Sequence, residues 1–332
     1  MNRERWTVCV VLLLALLLPH GLRGTQTEFA IEVMTTAMFA LSLNILIGRL
    51  GLISFGHGLF LGVGAYLAGL MLLHLTQNLF LLLAAALVAG ALVSLVVGAL
   101  VLRLGGVGFV MITIALCQLA YVAVLSADRW TGGINGIPSI PRPTLWPGDV
   151  AEWLSLDSAK TFYHVALVAL VLLLYALRRL DASPMGAVFA GIRQNPARMG
   201  ALGYPVRRFQ LIGFVMAGSV AAVAGALQAA LFNLVEPAIL FWTVSGEVIL
   251  MVILGGVASL YGPAVGAALF LALFHYLGLL TDHWRLVLGV VFILVVLFAP
   301  AGLVPLVGNA WRRRRGGTPA AAAGDALRGE PS

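Results

Sequence analysis

From residue 6 to residue 306 the chain is an almost unbroken succession of apolar stretches, most of them about as long as a bilayer is thick. A helix crossing the hydrocarbon core needs roughly 20 predominantly apolar residues. Ten stretches meet or approach that length, near 6–20, 28–48, 52–74, 79–101, 106–126, 162–178, 210–233, 238–258, 262–281 and 284–306. Hydrophobic residues make up 61% of the chain and the mean hydropathy is +1.03, more than a soluble core of this size could hide. Lipid cannot satisfy a free backbone, so spanning segments must be helices or closed barrels. The long runs predict an all-α, polytopic transmembrane bundle of eight to ten membrane segments. The glycine-rich stretch 52–74 is a candidate for a broken or re-entrant helix. Residues 1–310 read as one transmembrane domain, and 311–332 as a basic tail that cannot bury a face.

The arginines predict the topology, because positive charge stays on the cytoplasmic side. Arg3 and Arg5, the run from Arg178 to Arg208, and the cluster Arg312 to Arg315 belong there, whereas the nearly balanced, proline-rich loop 127–161 belongs outside. With both termini inside, the number of crossings is even. Ten segments satisfy every assignment, and eight would require two of them to be re-entrant. Residues 6–20 also fit the basic start and short apolar core of a signal peptide. Pro19-His20-Gly21-Leu22 is a poor cleavage site, so a retained helix is favoured.

Composition also excludes several chemistries. The net charge of +7 is carried by arginines scattered among helix ends, a topology signal rather than a nucleic-acid patch. Cys9 and Cys117 both lie inside apolar runs, so neither a disulfide framework nor a metal site is expected, and no cofactor is called for. Lys160, the only lysine, sits in Ser-Ala-Lys-Thr and not in the glycine-rich loop that cradles nucleotide phosphates. The chain is therefore read as carrying no ATP site of its own and not as an enzyme, and any nucleotide that drives it must be bound by a separate subunit.

Polar groups inside apolar runs are costly and often functional. Of Asn44, His57, Gln118, Gln228, Asn233, Glu236, Glu247 and His275, most are expected simply to bond a neighbouring helix. His57 stands out because Gly56 and Gly58 flank it and let backbone or ligand approach closely. Glu247 precedes the apolar run Val248 to Leu254, where a buried carboxylate would need a partner. The stretch 179–208 is too long for a turn. Ser183-Pro184 and Asn195-Pro196 are helix openings, and Gly200 and Gly203 are helix stops. Two short helices at the membrane face are predicted, either a docking element for a cytoplasmic partner or an amphipathic linker held by anionic lipid.

Several blocks resemble a known family. Gly51-Leu-Ile-Ser54-Phe-Gly56-His57-Gly58, Gly62-Val-Gly-Ala-Tyr66, Thr131-Gly-Gly-Ile-Asn-Gly-Ile-Pro138 and Ile192-Arg193-Gln-Asn195-Pro196-Ala-Arg198-Met-Gly-Ala-Leu-Gly203 come first. Ser245-Gly-Glu247, Leu254-Gly-Gly256, Tyr261-Gly-Pro263 and Ala299-Pro-Ala-Gly-Leu303 follow. In order and spacing they are similar to the LivM-type permease subunits of branched-chain amino acid ABC transporters, over about residues 28–305. The resemblance implies a bacterial inner-membrane importer with a second, LivH-type permease, two cytoplasmic ATPase subunits and a periplasmic substrate-binding protein. It implies a substrate path for which Ser54, Gly56, His57, Gln118 and Glu247 are candidates. It also implies an ATPase-coupling segment, 183–203, carrying Arg193, Asn195, Pro196, Arg198 and Gly203. Gln194 departs from the acidic residue that relatives often carry there. The family includes urea and short-amide permeases, so the substrate stays open. An ion-driven secondary transporter using Glu32, Glu236 and Glu247, and a membrane scaffold, are the rival readings.

Overall fold

The computed structural model describes residues 24–145, 158–280, 283–299 and 302–306, with Leu16, Leu18, Pro19, Gly21 and Leu156 as isolated positions. The helix expected at 6–20 and the tail 311–332 lie outside these. Among the described residues the regular structure is helical, and seven helices are long and apolar enough to cross a membrane. Helix α1 runs Gly24–Asn44 and continues as a π-helical turn, Ile45–Leu50. After a non-helical segment come α2 (His57–His74), α3 (Leu79–Val101), α4 (Val107–Ser126) and α5 (Ala159–Asp181). Two short helices follow, α6 (Pro184–Gln194) and α7 (Pro196–Ala201), and then α8 (Val206–Phe232). A second connecting segment, with a 3-10 turn at Pro237–Leu240, leads to α9 (Trp242–Gly255), then α10 (Gly262–Leu280) and α11 (Trp284–Phe298).

Local chemistry accounts for many boundaries. Asn78 caps α3, its Oδ1 accepting from the amides of Phe80 at 2.9 Å and Leu81 at 3.2 Å. Ser183 caps α6 through the Gly186 amide at 3.2 Å, and Asn195 caps α7 through the Arg198 amide at 2.9 Å. Each of these last two caps is followed by a proline in the first turn, where its missing N–H costs nothing. The two predicted short helices therefore form where the caps place them. The stretch 52–74 is not one helix: its first residues are extended and α2 starts only at His57.

The chain divides into two compact units, residues up to Ile249 and residues from Leu250 onward, a division that falls within α9. In the first unit α1, α2 and α8 are largely buried, whereas α3, α4 and α5 turn apolar side chains such as Val96, Met111 and Leu172 outward. Helices α2 and α8 cross with their backbones touching. A Cβ on Gly64 would run into the Ala222 backbone, and one on Gly225 into that of Leu61. Small residues permit such contact, and in membranes dispersion gathered at close approach replaces the hydrophobic drive. An aromatic series, Phe39–His57–Phe60–Phe214–Phe109, links α1, α2, α8 and α4 with centroid separations of 5.4, 5.7, 5.5 and 6.4 Å. In the second unit, Gly255 and Gly262 meet backbone to backbone, as do Gly266 and Met251.

Helix α8 is about 40 Å long at 1.5 Å per residue, and its two ends differ in character. At its start the stretch 178–208 gathers the arginines. At its end lies the loop that begins at Ala127. The amides of Ile137 and Val235 each donate to the other's carbonyl at 3.0 Å, and Asn233 Nδ2 donates to Ile140 O at 2.7 Å. Thr144 N donates to Gln77 O at 2.6 Å, and Leu79 N to Thr144 O at 2.9 Å. The arginine-rich stretch and the proline-rich loop therefore occupy opposite ends of the bundle.

Candidate functional site

The same construction occurs twice in the first unit. A 27-residue helix, Gly24–Leu50 or Val206–Phe232, ends in a residue of left-handed backbone, Gly51 (φ +72°) or Asn233 (φ +54°). A segment outside the α-helices follows each, 51–56 or 233–241, the second holding a short 3-10 turn at Pro237–Leu240, and a further α-helix begins. The two long helices run in opposite directions: Leu50, at the end of α1, packs against Gly213, near the start of α8. Inverted pairs of interrupted helices are a way of building a transport path inside a bilayer, because irregular backbone is tolerated there only when surrounded by protein or lining a cavity.

The two interruptions meet. Gly58 N, in the first turn of α2, donates to Ser245 Oγ of α9 at 2.8 Å, and Ser245 is fully buried. A Cβ on Gly62 would enter the side chain of Leu240. Helix α4 completes the contact: Cys117 Sγ donates to Leu240 O at 3.0 Å, and Phe55 N donates to Thr113 Oγ1 at 3.3 Å. Gly56 packs so closely on Thr113 that a Cβ would lie 2.7 Å from its carbonyl oxygen. Ser54 is fully buried and accepts from Gly56 N at 3.3 Å.

His57 has no exposed surface. Ser42 Oγ donates its single proton to Phe39 O at 2.7 Å, so at 2.8 Å it accepts from His57 Nε2–H. Nε2 is thereby assigned as the proton-bearing nitrogen, on a ring stacked on Phe39. Its Nδ1 is buried with no hydrogen-bond partner among the described residues. Asn44 Oδ1, Tyr66 Oη and Gln118 Oε1 share that condition. Ser54, Gly56 and His57 are thus brought together, with Gln118 half-buried on the adjoining α4. Glu247 is not with them. It was expected to be buried, but the buried side of α9 here is Ser245, Val248 and Ile249, and Glu247 lies exposed on another face. Among the described residues no three His, Cys, Asp or Glu side chains are grouped to hold a metal.

At the arginine-rich end the π-turn is held from outside. In this turn Gly51 N and Leu52 N both donate to Leu46 O, and the last carbonyls of a helix are left without intrahelical partners. Arg193 of α6 supplies one: its Nη1 donates to Gly48 O at 2.5 Å. Cations at a helix C-terminus also suit the macrodipole. Arg49, on the turn itself, grips Asp181 at the end of α5 with two parallel bonds, Nε to Oδ1 at 2.6 Å and Nη2 to Oδ2 at 2.8 Å. Of the residues expected to couple, Arg193 and Arg198 are both exposed, Arg193 with its guanidinium on Gly48 O of α1, and Asn195 and Pro196 open α7. Gly203 (φ +88°) turns the chain towards α8. Ser42, Arg49, Thr113 and Asp181 were not singled out in the sequence. Only Arg49, a cation two residues before a glycine stop, left a local signal.

Comparison with known proteins agrees with this arrangement. The family described as branched-chain amino acid transport system / permease component matches residues 26–296. The high-affinity branched-chain amino acid transport system permease protein LivM of Escherichia coli (strain K12) is 27% identical over 92% of this chain and 76% of its own. LivM of Salmonella typhimurium (strain LT2) is 26% identical over the same shares. The LivH permease protein of E. coli (strain K12) is 24% identical over 81% of this chain and 91% of its own. No solved structure matches the chain. With two interrupted helices closed against each other inside an apolar bundle, and a family match across nearly all of that bundle, the chain belongs to the permease components of branched-chain amino acid transport systems.

Proposed function

We propose that this permease is one half of the membrane path of an ATP-driven importer for branched-chain amino acids. A LivH-type permease forms the other half, two separate ATPase subunits supply the energy, and a periplasmic binding protein delivers the substrate. The arginine-rich end is cytoplasmic, as are both termini, in the bacterial inner membrane. Residues 183–203 meet the ATPases, with Arg198 outermost. The observation that carries this reading is the attachment of that element to the first interrupted helix through Arg193 to Gly48 O, beside the Arg49–Asp181 pair that ties the end of α5 to the same turn. An ATPase that moves α6 thereby pulls on the π-turn, and the π-turn leads directly into Ser54, Gly56 and His57. A ligand or partner shifts such an equilibrium only through contacts that differ between its two states, and these bonds are of the kind that can differ. π-Turns recur at functional positions for the same reason.

The test is ATP-dependent uptake of leucine, isoleucine and valine into proteoliposomes holding the whole complex. Arg198→Glu should weaken co-purification of the ATPase, because reversed charge at an interface costs a few kcal/mol. Arg193→Ala should leave the ATPase bound and its hydrolysis running while uptake falls, and Arg193→Lys should restore part of it. Uptake of urea in place of these amino acids would move the substrate. Ion-driven uptake by this chain alone would replace the ATP-driven reading with that of a secondary transporter.

A further inference from the structure

A second basic feature lies at the same end, away from the π-turn. The last turn of α3 and the first turn of α8 enclose a cavity of about 220 Å3, lined by Arg103, Arg207 and Arg208 together with Gly98, Leu102 and Leu211. Its floor is where the helices touch: a Cβ on Gly98 would lie 2.8 Å from Leu211 Cδ1 and 2.9 Å from Phe214 Cδ1. The three arginines lie towards the helix ends from that contact. No acidic side chain lines it, and among the described residues none of the three arginines makes an ion pair or a side-chain hydrogen bond. The N-terminus of α8 has no side-chain cap either, so its partial positive charge adds to theirs.

The three arginines are exposed and bring three like charges to one small cavity, where an anion would be favoured. The apolar floor belongs to helices that cross the membrane, so the occupant must carry its anion at the interface and its apolar part along the helices. We propose that this cavity is a binding site for the phosphodiester headgroup of an anionic phospholipid, with Arg103, Arg207 and Arg208 on the phosphate and the acyl chains running along Gly98 and Leu211. A basic pocket between transmembrane helices is suited to such a headgroup, whereas a free anion would leave the apolar floor unused. A protein partner approaching from the water would touch the helix tips and not reach the floor.

The experiment is native mass spectrometry of the purified full chain titrated with phosphatidylglycerol, and with phosphatidylcholine as the neutral comparison. At about 1 kcal/mol, or fivefold, for each guanidinium, the triple variant R103Q/R207Q/R208Q should bind phosphatidylglycerol roughly a hundredfold more weakly. R103K/R207K/R208K keeps the charge, and should stay much closer to the parent chain. R178Q/R179Q removes arginines from the same end outside the cavity, and should change binding little. Equal weakening in R178Q/R179Q would reduce the effect to diffuse surface charge and overturn the site. Equal binding of the two lipids, or displacement of phosphatidylglycerol by inorganic phosphate alone, would also overturn it. Unchanged lipid binding with loss of the ATPase in R103Q/R207Q/R208Q would assign the cavity to a protein interface instead. Because lipid binding is read on the chain without its partners, failure here leaves the importer reading untouched.

Discussion

Removing Asp181 should harm the protein more than removing Arg49, although the two residues share one ion pair. The asymmetry follows from their burial, since the Arg49 side chain is 10% exposed and that of Asp181 42%. Asp181→Ala strands a guanidinium that is nine-tenths buried. Its Nε and Nη2 lose their acceptors, and its Nη1 already has none among the described residues. Breaking a fully buried pair from one side costs about 3–5 kcal/mol. Water reaching the Asp181 side lowers that, so about 1–3 kcal/mol is expected. Arg49→Met instead removes the buried charge along with the pair and leaves a carboxylate that water can solvate, at a cost of about 0–1 kcal/mol. The double variant R49M/D181A should resemble R49M, because nothing remains stranded. Equilibrium unfolding in mixed SDS micelles measures all three. Equal costs, or a larger cost for Arg49→Met, would refute the reasoning.

Two further outcomes are expected. Gly225→Ala should destabilise by about 1–3 kcal/mol, since its Cβ meets the Leu61 backbone and not a side chain that can swing away; Gly64→Ala should do likewise, and the pair should cost less than the sum because the first change already parts α2 from α8. Stability unchanged by either substitution in the same unfolding assay would contradict direct backbone contact. In a Cys9→Ser background, Ile134→Cys, at a position 85% exposed, should react with an impermeant thiol reagent added outside, and Arg198→Cys only from inside, while Cys117 stays buried and silent; the reverse labelling would invert the assigned topology.

The sequence made the helices legible because membrane spans are written in composition. Leu79–Val101 falls where the apolar run predicts it, and α10 and α4 lie within a residue of it. The paired short helices were legible for a different reason, because Ser183-Pro184 and Asn195-Pro196 carry their caps locally. The interruption at 51–56 was foreshadowed by its glycines. What joins the elements was not legible. Ser42 to His57 spans 15 residues, Arg49 to Asp181 spans 132, Arg193 to Gly48 spans 145 and Gly58 to Ser245 spans 187. No local pattern encodes which distant backbone group a serine or arginine will find. Arg193 read as a docking residue, and no local signal announced that its guanidinium also bonds Gly48 O of α1. Glu247 read as buried because a run of apolar residues follows it, whereas the face it occupies depends on where α9 starts and how it packs.

The reciprocal pair of bonds between Ile137 and Val235 has a consequence for hydrogen exchange. Each amide is protected only while the other strand of the bridge stays in place, and Gly136 lies so close to Val235 that neither segment can shift without the other. The two amides belong to regions nearly a hundred residues apart in the chain, yet they should exchange as one cooperative unit, at a common rate and with a common response to temperature. A protein pressing on the loop would be felt at Leu240 and Ser245 in that same opening event, so whatever slows exchange at Ile137 should slow it equally at Val235.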